Sequence, residues 1–212
     1  QLLEILKSNK QLNLPQKLPV IYITGGSTGS HGINDIVLKI IPKLLKKYVV
    51  VHQTGDAKGF NDFEKLSQIK QNFPEKLGSR YILKKFTFPS EIGEILTYSD
   101  LVVTRAGINT LLELIARRKL SLCIPLPVGQ AMEQLENARL AVSLGLGEYI
   151  EEKNLTGDIL LEKIGTLISQ KDRYKVNEQG AGEYIVPDAS QRIISVIEDV
   201  VGRDHATPLV KY

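Results

Sequence analysis

Five short apolar runs rich in Val and Ile recur along the chain, near 19–24 (PVIYIT), 48–53 (YVVVHQ), 80–84 (RYILK), 100–104 (DLVVT) and 121–125 (SLCIP). Most are continuous rather than alternating, which is how strands covered on both faces of a parallel sheet read. Helical periods lie between them. Over 33–46, Ile33, Ile36, Val37, Ile40, Ile41 and Leu44 follow the i, i+3, i+4, i+7 spacing of one buried stripe. Pro42 is expected to kink that helix or to start its last turn. Further helices are expected at 60–73, 90–98, 107–118, 130–144, 156–169 and 189–201. Repeated β–α units of this length predict an α/β fold, a Rossmann-like doubly wound parallel sheet with right-handed crossovers.

The sheet-forming region spans 18–201. Before it, residues 1–17 read as a short amphipathic helix, with Leu2, Ile5 and Leu6 on one face, and a polar linker. After it, 202–212 read as a polar tail that frays. Of the 212 residues, 42% are hydrophobic, enough to fill a core. The net charge of +3 is too small to argue for a nucleic-acid partner. The basic clusters KLLKKY and ARRKL end helices, where cations suit the dipole. The lone Cys123 lies in an apolar run, reads as a core residue and fits a reducing compartment. No apolar run reaches the ~18 residues of a membrane span, and no signal peptide is visible. The first residue is Gln1, so a piece of a longer chain is expected.

Open parallel sheets bind ligands beyond the carboxyl ends of their strands. The segment after the first strand is GGSTGS. Gly25 and Gly26 allow close backbone approach and positive φ, and Ser27 or Ser30 is placed to cap the next helix. That helix start suits a diphosphate, although a tight turn without a ligand has the same composition. A dinucleotide fold wants an acid ending the second strand. This strand ends with His52 and Gln53, and Asp56 comes too late, which argues against NAD. After the fourth strand, RAGINTLLELIARR starts a second helix beside the same rim. Arg105 and Thr110 are placed to reach an anion there. Glu113 lies off the apolar stripe near the helix start, placed either to face solvent or to accept hydrogen bonds from two ribose hydroxyls. After the fifth strand, Gln130, Glu133, Gln134 and Asn137 form one polar stripe, facing water or sugar hydroxyls. His31, His52 and His205 have no metal-ligand spacing.

The ordered set GGSTGSHGIN, HQTG, RAGINTLLE and EQLENA resembles the nucleotide-sugar domain of family 28 glycosyltransferases, which have the GT-B fold. The resemblance covers about 18–200 and includes the closing VPDASQRIISVIEDV. It implies the C-terminal, donor-binding half of an inverting enzyme that transfers N-acetylglucosamine from UDP to lipid I in peptidoglycan synthesis. By position, Gly25, Gly26 and Ser27 would hold the diphosphate, and Phe88 and Pro89 would wall the uracil, largely through backbone. Ile108, Asn109 and Thr110 would contact sugar and phosphates, Glu113 the ribose, and Glu133 and Gln134 the sugar hydroxyls. The chain departs from the family pattern at His31, Pro89, Asn109 and Glu133.

The resemblance further implies UDP-sugar as the partner and no cofactor. The acceptor half would carry the general base, and the acceptor would be lipid-linked, met at the cytoplasmic face of the membrane. No catalytic residue is expected in this chain, which alone would hold the donor and transfer nothing. Two other readings keep the fold. One is the donor subunit of a split two-chain transferase, told apart by what gene sequence lies upstream. The other is a UDP-sugar epimerase or binding domain.

Overall fold

The structure is a computed structural model that describes residues 18–57, 59–126, 131–186 and 188–205. The expected helix at 1–8, Gln130 and the end of the expected tail lie outside the described residues. Six strands form one sheet: β1 (Val20–Thr24), β2 (Val49–Gln53), β3 (Tyr81–Lys84), β4 (Leu101–Thr104), β5 (Ser121–Cys123) and β6 (Gly147–Tyr149). Their order is β3-β2-β1-β4-β5-β6, with every pair parallel. Five match the expected runs within a residue or two. The sixth was not anticipated, because it is three residues long and begins on a glycine.

Alternation along β1 shows why the strands read as continuously apolar. Ile21 and Ile23 join one core cluster, while Val20 and Tyr22 join another on the opposite face. The first face is covered by α1 (His31–Leu44), α2 (Asp62–Gln71) and α7 (Gly157–Ser169), which contribute Ile33, Leu66 and Leu160 to its core. The second is covered by α4 (Pro89–Tyr98), α5 (Ile108–Arg117) and α6 (Ala131–Ser143). The short helices α3 (Glu75–Gly78) and α8 (Glu178–Glu183) complete the connections. Pro42 lies in the last turn of α1, where its missing N–H leaves the Leu38 carbonyl without the usual i, i+4 donor just before the helix ends. Cys123 is buried, and burial pushes its thiol up to about 11.

The last helix, α9 (Ala189–His205), runs beyond the expected end at 201, so the tail begins later than its polarity suggests. Ile193, Val196, Ile197 and Val200 on it are each more than half exposed. Apolar spacing alone made this a helix, but nothing among the described residues covers that face.

His52 is fully buried on β2, within 2.9 Å of the Tyr81 hydroxyl and 3.0 Å of Asn34 Oδ1. Desolvation pushes its pKa down to about 3, against a smaller opposing pull from Asp62. The folded imidazole is therefore neutral, while the unfolded one takes a proton near pH ~6.5. Its contribution is present above that value and is lost as pH falls toward about 3, by about 1.4 kcal/mol per pH unit. Urea unfolding of the protein and of His52→Gln checks this. Their stability gap should narrow by about 2 kcal/mol between about pH 7.5 and 5. A gap that stays constant contradicts a neutral buried His52.

Candidate functional site

The strand register sets the rim of the site. Thr24 at the end of β1 stands opposite Gln53 on one side and Thr104 on the other. Chain order reverses between β1 and β4, so the loops after these strands diverge and leave a crevice. A cleft of about 820 Å³ lies there. The residues that the family resemblance assigns to the donor line it, except Phe88, and so does Arg105, whereas Asn137 of the polar stripe does not.

The first wall is the loop from β1 to α1. A side chain at Gly25 would lie 2.2 Å from the Ser30 nitrogen, so this turn admits only glycine. Gly26 has φ +83°, and its N–H donates to Thr24 Oγ1. Ser27 is exposed at the loop tip. Ser30 caps α1, its hydroxyl accepting from the Ile33 N–H at 3.4 Å. Behind it, Gly29 and Gly55 form an isolated antiparallel bridge that ties this loop to the one after β2.

The facing wall is α5. Its N-cap is Gly107, which brings no side-chain acceptor, and its first turn holds no acid. Ile108, Asn109 and Thr110 form that first turn and line the cleft. The first-turn N–H groups of a helix lack intrahelical partners. The first turn of α1 is likewise free of acids, as is that of α9 away from the cleft, whereas α2 carries two there and α3, α4, α6, α7 and α8 one each. Two helix starts without negative charge thus meet at one cleft, an arrangement suited to an anion.

Glu113 is buried, not solvated: only 7% of it is accessible. It sits in the second turn of α5 and lines the cleft, on a face that helical spacing alone would assign to solvent. Tyr22 is pushed up to about 12, first by its burial, and the charges of Glu113 and Glu91 add to this.

Arg105 differs most from expectation. It is buried, and Nε and Nη2 donate to Ser30 Oγ at 3.0 and 2.6 Å. Nη1 donates to the Ile124 carbonyl at 3.0 Å, and Nη2 also pairs with Glu152 at 2.7 Å. A buried guanidinium needs such partners, and Glu152 offsets its charge. Arg105 therefore braces the Ser30 cap at the wall of the cleft, with its guanidinium held by Ser30, the Ile124 carbonyl and Glu152. Glu152 follows β6, the strand that was missed, so no sequence signal linked the two.

The uracil wall also differs. Phe88 is 75% exposed and its side chain does not line the cleft. Its N–H is already donated to Glu91 Oε2 at 2.9 Å, and Glu91 also holds Lys84. Phe86, Thr87, Pro89 and Ile92 line that end. Gln53 Oε1 accepts from the Tyr22 and Thr87 hydroxyls at 2.7 and 2.6 Å. The strand-end position that dinucleotide enzymes give to an acid is thus occupied by an amide engaged with the protein.

On α6, Glu133 is exposed at the cleft. Gln134 is buried and also lines the cleft, its Oε1 accepting from the Leu126 N–H at 3.0 Å. Asn137 donates to the Ala106 carbonyl at 2.9 Å. Two members of the polar stripe therefore hold neighbouring loops in place.

Residues 20–193 match the family described as the glycosyltransferase family 28 C-terminal domain. The UDP-N-acetylglucosamine--N-acetylmuramyl-(pentapeptide) pyrophosphoryl-undecaprenol N-acetylglucosamine transferase of Acetivibrio thermocellus is 30% identical over 205 residues, 95% of this chain and 53% of that one. Its namesake in Geobacillus kaustophilus is 31% identical over 195 residues, 91% of this chain and 50% of that one. The crystal structure of Acinetobacter baumannii MurG superposes with a TM-score of 0.65 at 21% identity, covering 92% of this chain and 55% of that one. This chain spans about half the length of the curated relatives it matches. The chain belongs to glycosyltransferase family 28 and carries that family's C-terminal domain.

Proposed function

We propose that this domain binds UDP-N-acetylglucosamine and serves as the donor half of an inverting N-acetylglucosaminyltransferase. The observation that carries the reading is the pair of acid-free helix starts facing one cleft, with the buried Glu113 beside them. The names of the relatives supply the sugar and the acceptor class.

In this reading the diphosphate lies between the Gly25–Gly26–Ser27 loop and the first turn of α5. The ribose hydroxyls donate to Glu113, and the uracil rests near Pro89 and Ile92. Glu133 and Gln134 meet the sugar. An acceptor hydroxyl attacks the anomeric carbon. The new C–O bond forms as the bond to the diphosphate oxygen breaks, and the electron pair leaves on UDP. The hydroxyl proton passes to a base in an N-terminal half. The two helix starts stabilise the charge that grows on UDP, and the cleft aligns the donor for attack. The reading requires no metal or other cofactor.

The exposed apolar face of α9 supports a second half docked on this one. The acceptor in this reading is lipid-linked, met at the inner face of the membrane. No helix among the described residues is long and apolar enough to cross a membrane.

Glu113→Ala tests the site. Calorimetric titration should show UDP bound about 10- to 100-fold more weakly, the effect of losing charge-assisted hydrogen bonds. The 2′-deoxy analogue of UDP should bind wild type more weakly than UDP does, and the variant almost as well as UDP does. Equal UDP affinity in both proteins sinks the assignment of Glu113 to the ribose.

A further inference from the structure

His31 is the first residue of α1 and lines the donor cleft. Its Nδ1 lies 2.9 Å from Asp62 Oδ1, and its ring stacks on Phe60 with centroids 3.6 Å apart and planes 12° from parallel. A carboxylate only accepts, so Nδ1 carries the proton in this pair. Asp62 is itself held. Its Oδ2 accepts from Asn34 Nδ2 at 2.9 Å, and Asn34 Oδ1 accepts from His52 Nε2 at 3.0 Å. The other nitrogen of His52 faces the Tyr81 hydroxyl at 2.9 Å. A buried, directional chain of hydrogen bonds thus runs from the core to one imidazole at the cleft. Asp62 is almost fully buried, whereas about a third of the His31 side chain is open to solvent.

We infer that His31 is a diphosphate contact, oriented by Asp62 and Phe60 so that Nε2 donates to a phosphate oxygen of the bound nucleotide. The inference rests on the proposed donor site. The first turn of α1 supplies backbone N–H groups and the positive end of a dipole. Beside them, a ring that donates from Nδ1 to Asp62 and from Nε2 to the phosphate adds a side-chain donor that the glycine loop lacks. The Asp62 hydrogen bond fixes which way the ring is turned, and stacking on Phe60 fixes its plane. Asp62 acts as a positioning residue. The Arg105–Glu152 pair beside Gly32 is neutral as a whole, so it adds no net charge at this end of the cleft.

NMR titration of the protein with UDP and with uridine tests the inference. His31→Ala should weaken UDP about tenfold, as for one charge-assisted hydrogen bond, and leave uridine unchanged. Asp62→Asn should weaken UDP a few-fold, again sparing uridine. His31→Arg should recover at least half of the loss. Should His31→Ala not fold, His31→Phe, which keeps the stack, makes the same comparison. Unchanged UDP affinity overturns the inference, as does an equal loss for both ligands, or His31→Arg binding no better than His31→Ala. A wild-type protein that binds neither ligand overturns the donor-site reading itself, whereas UDP binding that ignores His31 overturns this inference alone.

Discussion

Gly29→Ala is expected to destabilise the domain by about 3 kcal/mol or more and to abolish UDP binding. Gly29 has φ +83°, and an added Cβ would lie 2.0 Å from the Thr54 carbonyl oxygen and 2.8 Å from Gly55 Cα. Neither neighbour is free to yield. The Thr54 N–H donates to the Lys84 carbonyl, and the Gly55 N–H to the Lys85 carbonyl, at 3.0 and 2.9 Å. Gly26→Ala separates the two costs. Its φ is also +83°, but nothing lies within 4 Å of its added Cβ. It should lose only the backbone preference, about 1–2 kcal/mol. Chemical unfolding of both variants checks the difference. Equal losses would mean that the Gly29–Gly55 contact does not hold the loop.

Arg105→Ala should cost about 3 kcal/mol, the lower end for breaking a buried ion pair, because Glu152 keeps 21% of its side chain in contact with solvent. The loss also strips two donors from Ser30, so UDP affinity should fall in step with stability. Arg105→Lys should not rescue it. One ammonium cannot serve Ser30, the Ile124 carbonyl and Glu152 together in the geometry of the planar fork. Glu152→Gln should be milder, about 1 kcal/mol, since the neutral amide still accepts a hydrogen bond from Arg105. A stable Arg105→Ala protein with weakened UDP binding would return Arg105 to the role of a direct diphosphate contact.

The fold was legible in the sequence because burial on both sheet faces leaves an unmistakable pattern. β1, β2 and β4 could hardly be anything else once Val and Ile fill both sides. β6 left no such trace. Gly147, at φ +134°, pairs beside Ser121 where an added Cβ would lie 2.0 Å from the Ser121 carbonyl oxygen, so the strand gave up an apolar residue to fit. The placement of the cleft was equally legible, because strand ends and topology determine it. The duties of individual side chains were not. Arg105, Glu113 and Gln134 all read as surface groups facing a ligand or water, yet each is buried. Helical and strand spacing locate a residue along its own element, whereas burial depends on what a distant segment places over it. Asp62 and Phe60, which orient His31, lie about thirty residues from it in sequence.

Chemical-shift mapping with UDP-N-acetylglucosamine locates the donor on the domain. The perturbed backbone amides should cluster at 25–31, 108–113 and 133–134, on the two helix starts and the polar edge of α6. The amides lining the opposite end of the sheet, around Lys119 and Lys171, should stay still. Perturbations centred on that opposite end, or none at saturating ligand, would contradict the proposed donor site.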